Sequence, residues 1–420
     1  MTLAMYDRSG RILSGAVVAF LISACTGDTP GTLTVAQDVV PSPAGADSGE
    51  PFLAVGGEHV YMSWLEASPV GGHDLRLARF DGTAWNEPTT IAHSESFFVN
   101  WADFPSISVG PDGALWAHWL ERGAAGGYDY GVRVVRSADD GASWSEPLTP
   151  HDDASPTEHG FVSTAPAEGG MGFAWLDGRQ YVEGPDGSPA TGEMTLRHRV
   201  LDAGGMSGPE TLVDSRVCDC CQTSSALTER GPVVVYRDRS PDEIRDIYIS
   251  RRLDDGSWTE GRPVHEDGWE ISGCPVNGPA VVAGDSDVAV AWFTAAGDVP
   301  RVKVAFSRDA GDTFRDPVTV DDGNPGGRVD LLMADDGSVL VSWLERTQGE
   351  EAEIRLRRVE RDGSKMSSVT LSTASAARAS GFPRMAQAED GTVFVAWTDV
   401  GQDASKVRVS RVRLESRDES

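Results

Sequence analysis

The sequence predicts an all-β protein, a β-propeller of four-stranded blades, with seven blades as the preferred count and six as the alternative. Three observations lead to this prediction. Short apolar strands recur from end to end, glycine-rich turns separate them in a chain with 47 glycines, and long helical periodicities are absent. A repeat of roughly 50 to 60 residues, with about four strands in each copy, is typical of propellers.

The second strand of each repeat gives the clearest evidence for the period. It ends in an aromatic residue, and in six of the seven copies an acid follows two positions later, as in Trp64-Leu65-Glu66. The aromatic residues lie 51 to 61 residues apart: Trp64, Trp119, Trp175, Tyr236, Trp292, Trp343 and Trp397. A third strand, a turn and a fourth strand follow each aromatic residue, which completes one blade.

Two of the turns between third and fourth strands share the pattern Ser-x-Asp-x-Gly-x-x-aromatic. The residues are Ser137, Asp139, Gly141 and Trp144 in one turn, and Ser307, Asp309, Gly311 and Phe314 in the other. Ser and Asp side chains hydrogen-bond turn backbone, and Gly tolerates a positive φ. Both turns resemble the Asp-box of sialidase-type propellers, and we expect a structural role for them.

The last repeat shows only three strands, while a strand near residues 32–40 precedes the first repeat without a unit of its own. We therefore expect the N-terminal strand to complete the last blade, which would remove the open sheet edges of the ring. The propeller is predicted to span residues 32–413, and residues 414–420 a polar tail.

The N-terminal sequence predicts an export signal. Arg8 and Arg11 precede a short apolar run, too short for a permanent membrane span. The run ends in Leu21-Ile22-Ser23-Ala24-Cys25, which resembles a bacterial lipobox. This predicts a signal peptide over residues 1–24, lipidation of Cys25, a tether over residues 25–31, and a place in the cell envelope, at the outer membrane facing the periplasm or the exterior. The alternative is an ordinary signal peptide.

A net charge of −29 disfavours nucleic acid as a partner, because phosphates require a basic face. We expect no membrane contact beyond the lipid anchor. The expected partner is a small molecule or a glycan.

Propeller topology sorts the polar residues by face. Loops that precede the first strand of a blade, and the ends of second strands, open on one face, where Trp101 and Glu158 are also expected. Arginines and carboxylates converge there as in ligand pockets, although loops carry polar residues in any case. The ligand-binding candidates are Asp103, Arg237, Asp238, Arg239, Arg245, Arg328, Asp330 and Arg384.

Four cysteines form two runs that the repeat places in neighbouring loops of this face. They are Cys218, Cys220 and Cys221 before the fourth blade, and Cys274 before the fifth. In an oxidising compartment one or two disulfides would be ordinary. A thiolate site for Cu(I) or Zn(II) is the second interpretation, with His265 as a spare ligand, and a reactive thiol the third. The spacing matches no standard zinc motif.

The blade repeat and the two Asp-boxes together resemble the sialidase/neuraminidase-like superfamily of BNR-repeat propellers. The strings Tyr236-Arg237-Asp238-Arg239 and Gly273-Cys274-Pro275 are similar to a group of exported sialidase-like proteins. Sialidase activity would require an arginine triad, a tyrosine–glutamate nucleophile pair and an aspartate acid/base. The family's Arg-Ile-Pro motif near the first blade is absent.

Three functions therefore remain open. The chain binds a ligand, such as an acidic carbohydrate, at the mouth of blades four to six; or it is a glycoside hydrolase of sialidase type; or it binds a metal through the cysteines. The catalytic residues stay unassigned.

Overall fold

A computed structural model describes residues 32–181, 191–205, 208–401 and 404–414. In these ranges the chain forms 27 strands and two single-turn 3-10 helices, Ala296–Asp298 and Arg378–Ser380. The strands assemble into seven sheets arranged in a ring, which confirms the prediction of a seven-bladed propeller. The predicted signal peptide, the tether with Cys25, and all of the predicted tail except Leu414 lie outside the described residues.

Consecutive antiparallel strands form each blade. The first three blades consist of β2 (Ser48–Gly56), β3 (His59–Ala67), β4 (His73–Phe80) and β5 (Thr89–Ser94); β6 (Ser106–Val109), β7 (Leu115–Arg122) and β8 (Tyr130–Ser137); and β9 (His159–Ala167), β10 (Gly170–Asp177), β11 (Met194–Asp202) and β12 (Thr211–Val217). In the second blade an isolated bridge between Val134 and Leu148 stands where the fourth strand would pair.

The next three blades repeat this plan. They consist of β13 (Ser224–Thr228), β14 (Gly231–Arg237), β15 (Ile247–Arg251) and β16 (Arg262–Pro263); β17 (Ala280–Gly284), β18 (Asp287–Thr294), β19 (Arg301–Ser307) and β20 (Val318–Thr319); and β21 (Pro325–Met333), β22 (Val339–Arg346), β23 (Glu351–Val359) and β24 (Val369–Ser375).

The last blade closes the ring with the N-terminal strand, as predicted. It consists of β25 (Arg384–Gln387), β26 (Val393–Val400), β27 (Ser405–Leu414) and β1 (Val35–Val40). β1 pairs antiparallel with β27, from Val35 opposite Leu414 to Val40 opposite Val409. The first and last strands of the described chain therefore close the ring by pairing with each other.

The acid that follows the aromatic residue of the repeat has a structural explanation. Three buried tryptophans donate their indole N–H to the carboxylate two positions later: Trp64 to Glu66 at 2.9 Å, Trp175 to Asp177 at 2.9 Å, and Trp343 to Glu345 at 2.7 Å. A buried donor left without an acceptor would destabilise the fold. At these positions the acids at the strand ends are engaged by the fold itself.

Both Asp-box turns bond their own backbone. Asp139 accepts hydrogen bonds from the Ser143 amide at 2.8 Å and the Ser143 hydroxyl at 2.6 Å, and Gly141 has a φ of 84°. Trp144 packs into the apolar cluster between the first two blades. The second turn, around Asp309, has the same bonds. The Asp-box side chains therefore stabilise the turns.

At the face that carries the cysteines, the loop over residues 95–105 contacts loops of other blades. Trp101 stacks on Phe382 with ring centroids 6.0 Å apart, and the Gln222 side chain donates to the Ala102 carbonyl. Below this loop lies a cavity of about 100 Å³, which is lined mainly by first strands. Within the described residues no helix is long and apolar enough to cross a membrane.

Candidate functional site

The mouth face is the face built by the loops that precede the first strands β6, β9, β13, β17, β21 and β25. The loop before β13 carries Cys218, Cys220 and Cys221, and the loop before β17 carries Cys274. Because these strands are neighbours in the ring, the two loops meet. The structure thus brings together residues that are more than fifty positions apart in sequence.

We call Cys218, Cys220, Cys221 and Cys274 the thiol cluster. The Cys218 sulfur lies 3.5 Å from that of Cys221 and 3.9 Å from that of Cys220, and all four residues are free thiols. Ligand atoms of Cys218, Cys220 and Cys221 lie within 4.8 Å of one another, as do those of Asp219, Cys220 and Cys274. Cys218 and Cys221 are buried, and Cys274 is exposed.

One arginine faces the thiol cluster directly. Nη1 of Arg245 lies 3.3 Å from Sγ of Cys218 and 3.3 Å from a carboxylate oxygen of Asp219. Hydrogen bonding with Cys220 and Cys221, followed by the Arg245 charge, lowers the pKa of the Cys218 thiol. The neighbouring thiols and Arg245 therefore favour the deprotonated form of Cys218.

Two acidic side chains, Asp103 and Glu158, lie beside the thiol cluster and are connected through Tyr130. The buried Asp103 accepts hydrogen bonds from the Phe161 amide at 2.7 Å and the Tyr130 hydroxyl at 2.8 Å, and that hydroxyl lies 3.5 Å from Glu158. Burial raises the pKa of Asp103 to about 7. Burial, and then the charges of Asp103 and Asp219, raise the pKa of Glu158 to about 8.

Tyr130 contacts a glutamate and an aspartate, the residue types that sialidase chemistry would need. It is only 2% exposed. Burial and then the Asp103 charge raise the pKa of its hydroxyl well above the ordinary value, which opposes its use as a nucleophile.

Two of the arginines predicted to bind ligand are engaged by backbone carbonyls. Arg237 donates to the carbonyls of Arg245 at 2.6 Å, Asn277 at 2.7 Å and Phe293 at 2.8 Å. Arg328 donates to the carbonyls of Gly381 at 2.9 Å and Ala377 at 3.0 Å, and to the Ser380 hydroxyl at 2.6 Å. Both guanidinium groups tie loops of neighbouring blades together.

The other predicted ligand-binding residues lie at separate places. Arg384 lines the channel cavity, with its guanidinium over the Phe52 ring and 3.8 Å from Asp330. Asp330 is buried, and burial raises its pKa. Asp238 is partly buried, and burial raises its pKa to about 7. Arg239 pairs with Glu243 at 2.7 Å, and Glu243 also pairs with Arg245.

A second group at the mouth face is cationic. The Arg328 guanidinium lies 4.9 Å from the centroid of the partly exposed Trp101 ring, and that of the exposed Arg378 lies 6.0 Å from it. Arg346, exposed at the end of β22, acts on Arg328 as a like charge. Burial, followed by this charge, lowers the pKa of Arg328 to about 10. We call Trp101, Arg328, Arg346 and Arg378 the cationic rim.

Among the described residues, no carboxylate pairs with Arg328, Arg346 or Arg378. The sequence analysis singled out Trp101 and Arg328 but not Arg346 or Arg378. Arg378 lies in a loop of alanines and serines, and Arg346 directly follows the acid of a repeat motif, so no sequence motif distinguishes either arginine.

Comparisons with known proteins agree with the fold. A search of the curated proteins finds no match. An ulvan lyase, a polysaccharide lyase solved bound to -[GlcA(1-4)Rha3S]-, is 11% identical with a TM-score of 0.54, over 89% of this chain and 95% of that one. A protein of unknown function from Dyadobacter fermentans is 16% identical with a TM-score of 0.51, over 91% and 99%.

A sialidase from Trypanosoma rangeli, solved with the inhibitor DANA, is 14% identical with a TM-score of 0.47, over 79% of this chain and 56% of that one. At these identities the two matches with a TM-score above 0.5 concern the fold alone. A profile of the BNR repeat-like domain matches residues 59–395, which is most of the chain. The predicted resemblance to sialidase-like BNR propellers is thereby confirmed, and the chain belongs to the BNR repeat-like family.

Proposed function

We propose that the chain binds an acidic carbohydrate at the cationic rim of its mouth face. One observation carries this proposal. In a chain with a net charge of −29, three guanidinium groups on this face have no carboxylate partner among the described residues, and two of them, those of Arg328 and Arg378, lie beside the partly exposed Trp101. Guanidinium groups bind carboxylates and sulfates through charge-assisted, often bidentate hydrogen bonds.

The three arginines of the cationic rim have different roles because they differ in burial. Arg378 and Arg346 are exposed, so their donors are free to reach a ligand, whereas the donors of Arg328 are largely used by loop carbonyls. Arg328 therefore contributes charge and holds Trp101 in place. The indole supplies apolar surface for a sugar ring, and its contacts with Phe382 fix its orientation.

The ligand class is supported by the relatives. The ulvan lyase with this fold was solved with an oligosaccharide that contains glucuronate and a sulfated rhamnose. We transfer the class of ligand, an acidic polysaccharide, and not the reaction. Sialidase activity stays a prediction, and the burial of Tyr130 opposes the use of this tyrosine as its nucleophile.

The experiment is calorimetric titration of the full chain with a tetrasaccharide of galacturonate and with a neutral tetrasaccharide of equal length. We expect the acidic ligand to bind and the neutral one to bind at least about tenfold more weakly. Added salt should weaken binding of the acidic ligand, because exposed charges are screened. Equal affinities, or no binding of either, would contradict the proposal.

We also propose that a lipid on Cys25 anchors the propeller in the cell envelope, so that the mouth face meets polysaccharide outside the cytoplasm. The lipobox-like segment Leu21–Cys25 supports this. Membrane fractionation of the wild-type chain and of Cys25→Ser tests it. Recovery of both chains in the same fraction would count against the anchor.

A further inference from the structure

We propose that the thiol cluster is a binding site for monovalent copper. Cys218, Cys220 and Cys221 would hold the ion, and Cys274 with Asp219 would form its solvent-facing approach. This site is separate from the cationic rim, and the proposal does not depend on carbohydrate binding.

The sulfur spacing fits a shared metal ion. Three or four sulfurs that each lie about 2.3 Å from one ion are about 3.8 to 4.0 Å apart, depending on whether the geometry is tetrahedral or trigonal. The distances from Cys218 to Cys221 and Cys220 are 3.5 and 3.9 Å, close to that range and far longer than a disulfide bond. The three thiols therefore already surround a position that one ion could occupy.

The ligand set selects the ion. Thiolates favour soft ions, and Cu(I) accepts three thiolates, whereas Zn(II) in structural sites takes four ligands in a tetrahedron. Cys274 belongs to the group with Asp219 and Cys220 and not to the group with Cys218 and Cys221. His265, the spare ligand expected from the sequence, lies 3.7 Å from Asp267 and belongs to neither group. Three sulfurs without an imidazole favour Cu(I).

The charges around the cluster fit a bound cation. Three thiolates with one Cu(I) leave two negative charges, and the Arg245 guanidinium lies 3.3 Å from Cys218 to balance part of them. Arg245 is itself held by Glu243 at 2.8 Å and by Asp219 at 3.3 Å. Binding would release the thiol protons to solvent and would change no oxidation state.

The two overlapping groups suggest how the ion enters. Cys274 is exposed, Cys220 is partly buried and shared by both groups, and Cys218 and Cys221 are buried. An ion captured by Cys274 and Cys220 could therefore reach the buried pair by exchanging one ligand at a time.

The test is anaerobic titration of the reduced full chain with Cu(I) in the presence of a competing chromogenic chelator. We expect one equivalent to bind, with thiolate-to-copper absorption in the near ultraviolet. Cys220→Ser should weaken binding by at least about 100-fold, Cys274→Ser should weaken it less and slow loading, and Cys25→Ser, the same change at the fifth cysteine, should leave it unchanged.

Circular dichroism of each variant shows whether the propeller is folded, and Cys274→Ser keeps the test usable if a buried variant fails to fold, because its side chain is exposed. Three results would overturn the assignment: no Cu(I) retained against the chelator, retention that is the same in Cys220→Ser, or a Co(II) spectrum of a four-thiolate site together with tighter binding of Zn(II). Two disulfides in protein isolated without reductant would overturn it as well.

Discussion

The thiol cluster and the cationic rim are built in the same way and carry opposite chemistry. Both lie on the mouth face, and both consist mainly of loops that precede first strands. In the thiol cluster, sulfurs lie close together, and the one arginine that contacts them, through Cys218, is already paired with Asp219 and Glu243. In the cationic rim, Arg328 and Arg378 lie beside Trp101 and have no carboxylate partner among the described residues. The ring sets the positions of the loops, while each loop supplies its own chemistry.

Asn277 contacts both Arg237, whose charge acts on Cys218, and Arg328 of the cationic rim. Its carbonyl accepts a hydrogen bond from Arg237 at 2.7 Å, and its side-chain oxygen accepts one from the Arg328 amide at 2.8 Å. Both arginines are held by several backbone acceptors, which fix their side chains in place. We therefore expect ligands at one region to leave the other nearly unaffected.

The largest expected effect is on the pH dependence of stability, and it concerns Asp103, one of the acidic groups beside the thiol cluster. Asp103 has a higher pKa in the folded chain, about 7, than the ordinary value of 3.8, so the folded state binds the extra proton and loses stability as pH rises through this window. Asp103→Asn, which cannot ionise, should flatten the fall in unfolding free energy between pH 4 and 8, by up to about 4 kcal/mol.

Urea unfolding of both chains at several pH values measures this. Arg378→Ala, a change at the cationic rim, serves as the control and should keep the wild-type pH dependence. If the unfolding free energy of Asp103→Asn fell with pH as steeply as that of the wild type, the pKa of Asp103 would not be raised in the folded chain.

The next effect separates structural from binding arginines within the cationic rim. Arg328→Met removes donors from three or more loop acceptors and should lower the free energy of unfolding by about 3 kcal/mol. Arg378→Met should change it by less than about 0.5 kcal/mol, because the side chain is exposed. Equal losses in urea unfolding would refute this division of roles.

A smaller effect concerns the ligand. Arg378→Ala should weaken binding of the acidic tetrasaccharide about tenfold, equivalent to about 1.4 kcal/mol, by removing a charged donor. Arg308→Ala is the matched control, because Arg308 is also exposed but lies in an Asp-box turn on the opposite face. Calorimetry of both variants should show a loss only in the first.

The smallest effect is expected at the face opposite the mouth. Asp309→Ala removes the acceptor of the Thr313 amide and hydroxyl and should cost about 1 kcal/mol of stability. Carbohydrate and copper affinities should stay at wild-type values. A change in either affinity would show that Asp-box turns influence the mouth face.

Much of the fold was predictable because it repeats. The aromatic residue of each second strand and its following acid recur at a regular spacing, and the missing fourth strand of the last repeat indicated the closure by β1. The meeting of Cys274 with Cys220 followed from the same register, since loops in corresponding positions of neighbouring blades lie side by side.

The site was less predictable because it depends on contacts across the ring. Arg237 and Arg328 resembled ligand-binding arginines in the sequence, but distant loop carbonyls occupy their donors. The stacking of Trp101 on Phe382 joins loops of the second and seventh blades, which no local pattern indicates. The repeat spacing predicts which loops are neighbours in the ring, but it does not predict contacts between loops of blades that are not adjacent.

The most direct test of the two-region account is the affinity for the galacturonate tetrasaccharide of the wild-type chain, Arg378→Ala and Cys220→Ser, measured by calorimetry in one buffer. We expect Arg378→Ala to bind about tenfold more weakly and Cys220→Ser to bind as the wild type does. Weaker binding in Cys220→Ser with unchanged binding in Arg378→Ala would place the carbohydrate at the thiol cluster and contradict the assignment of the two regions.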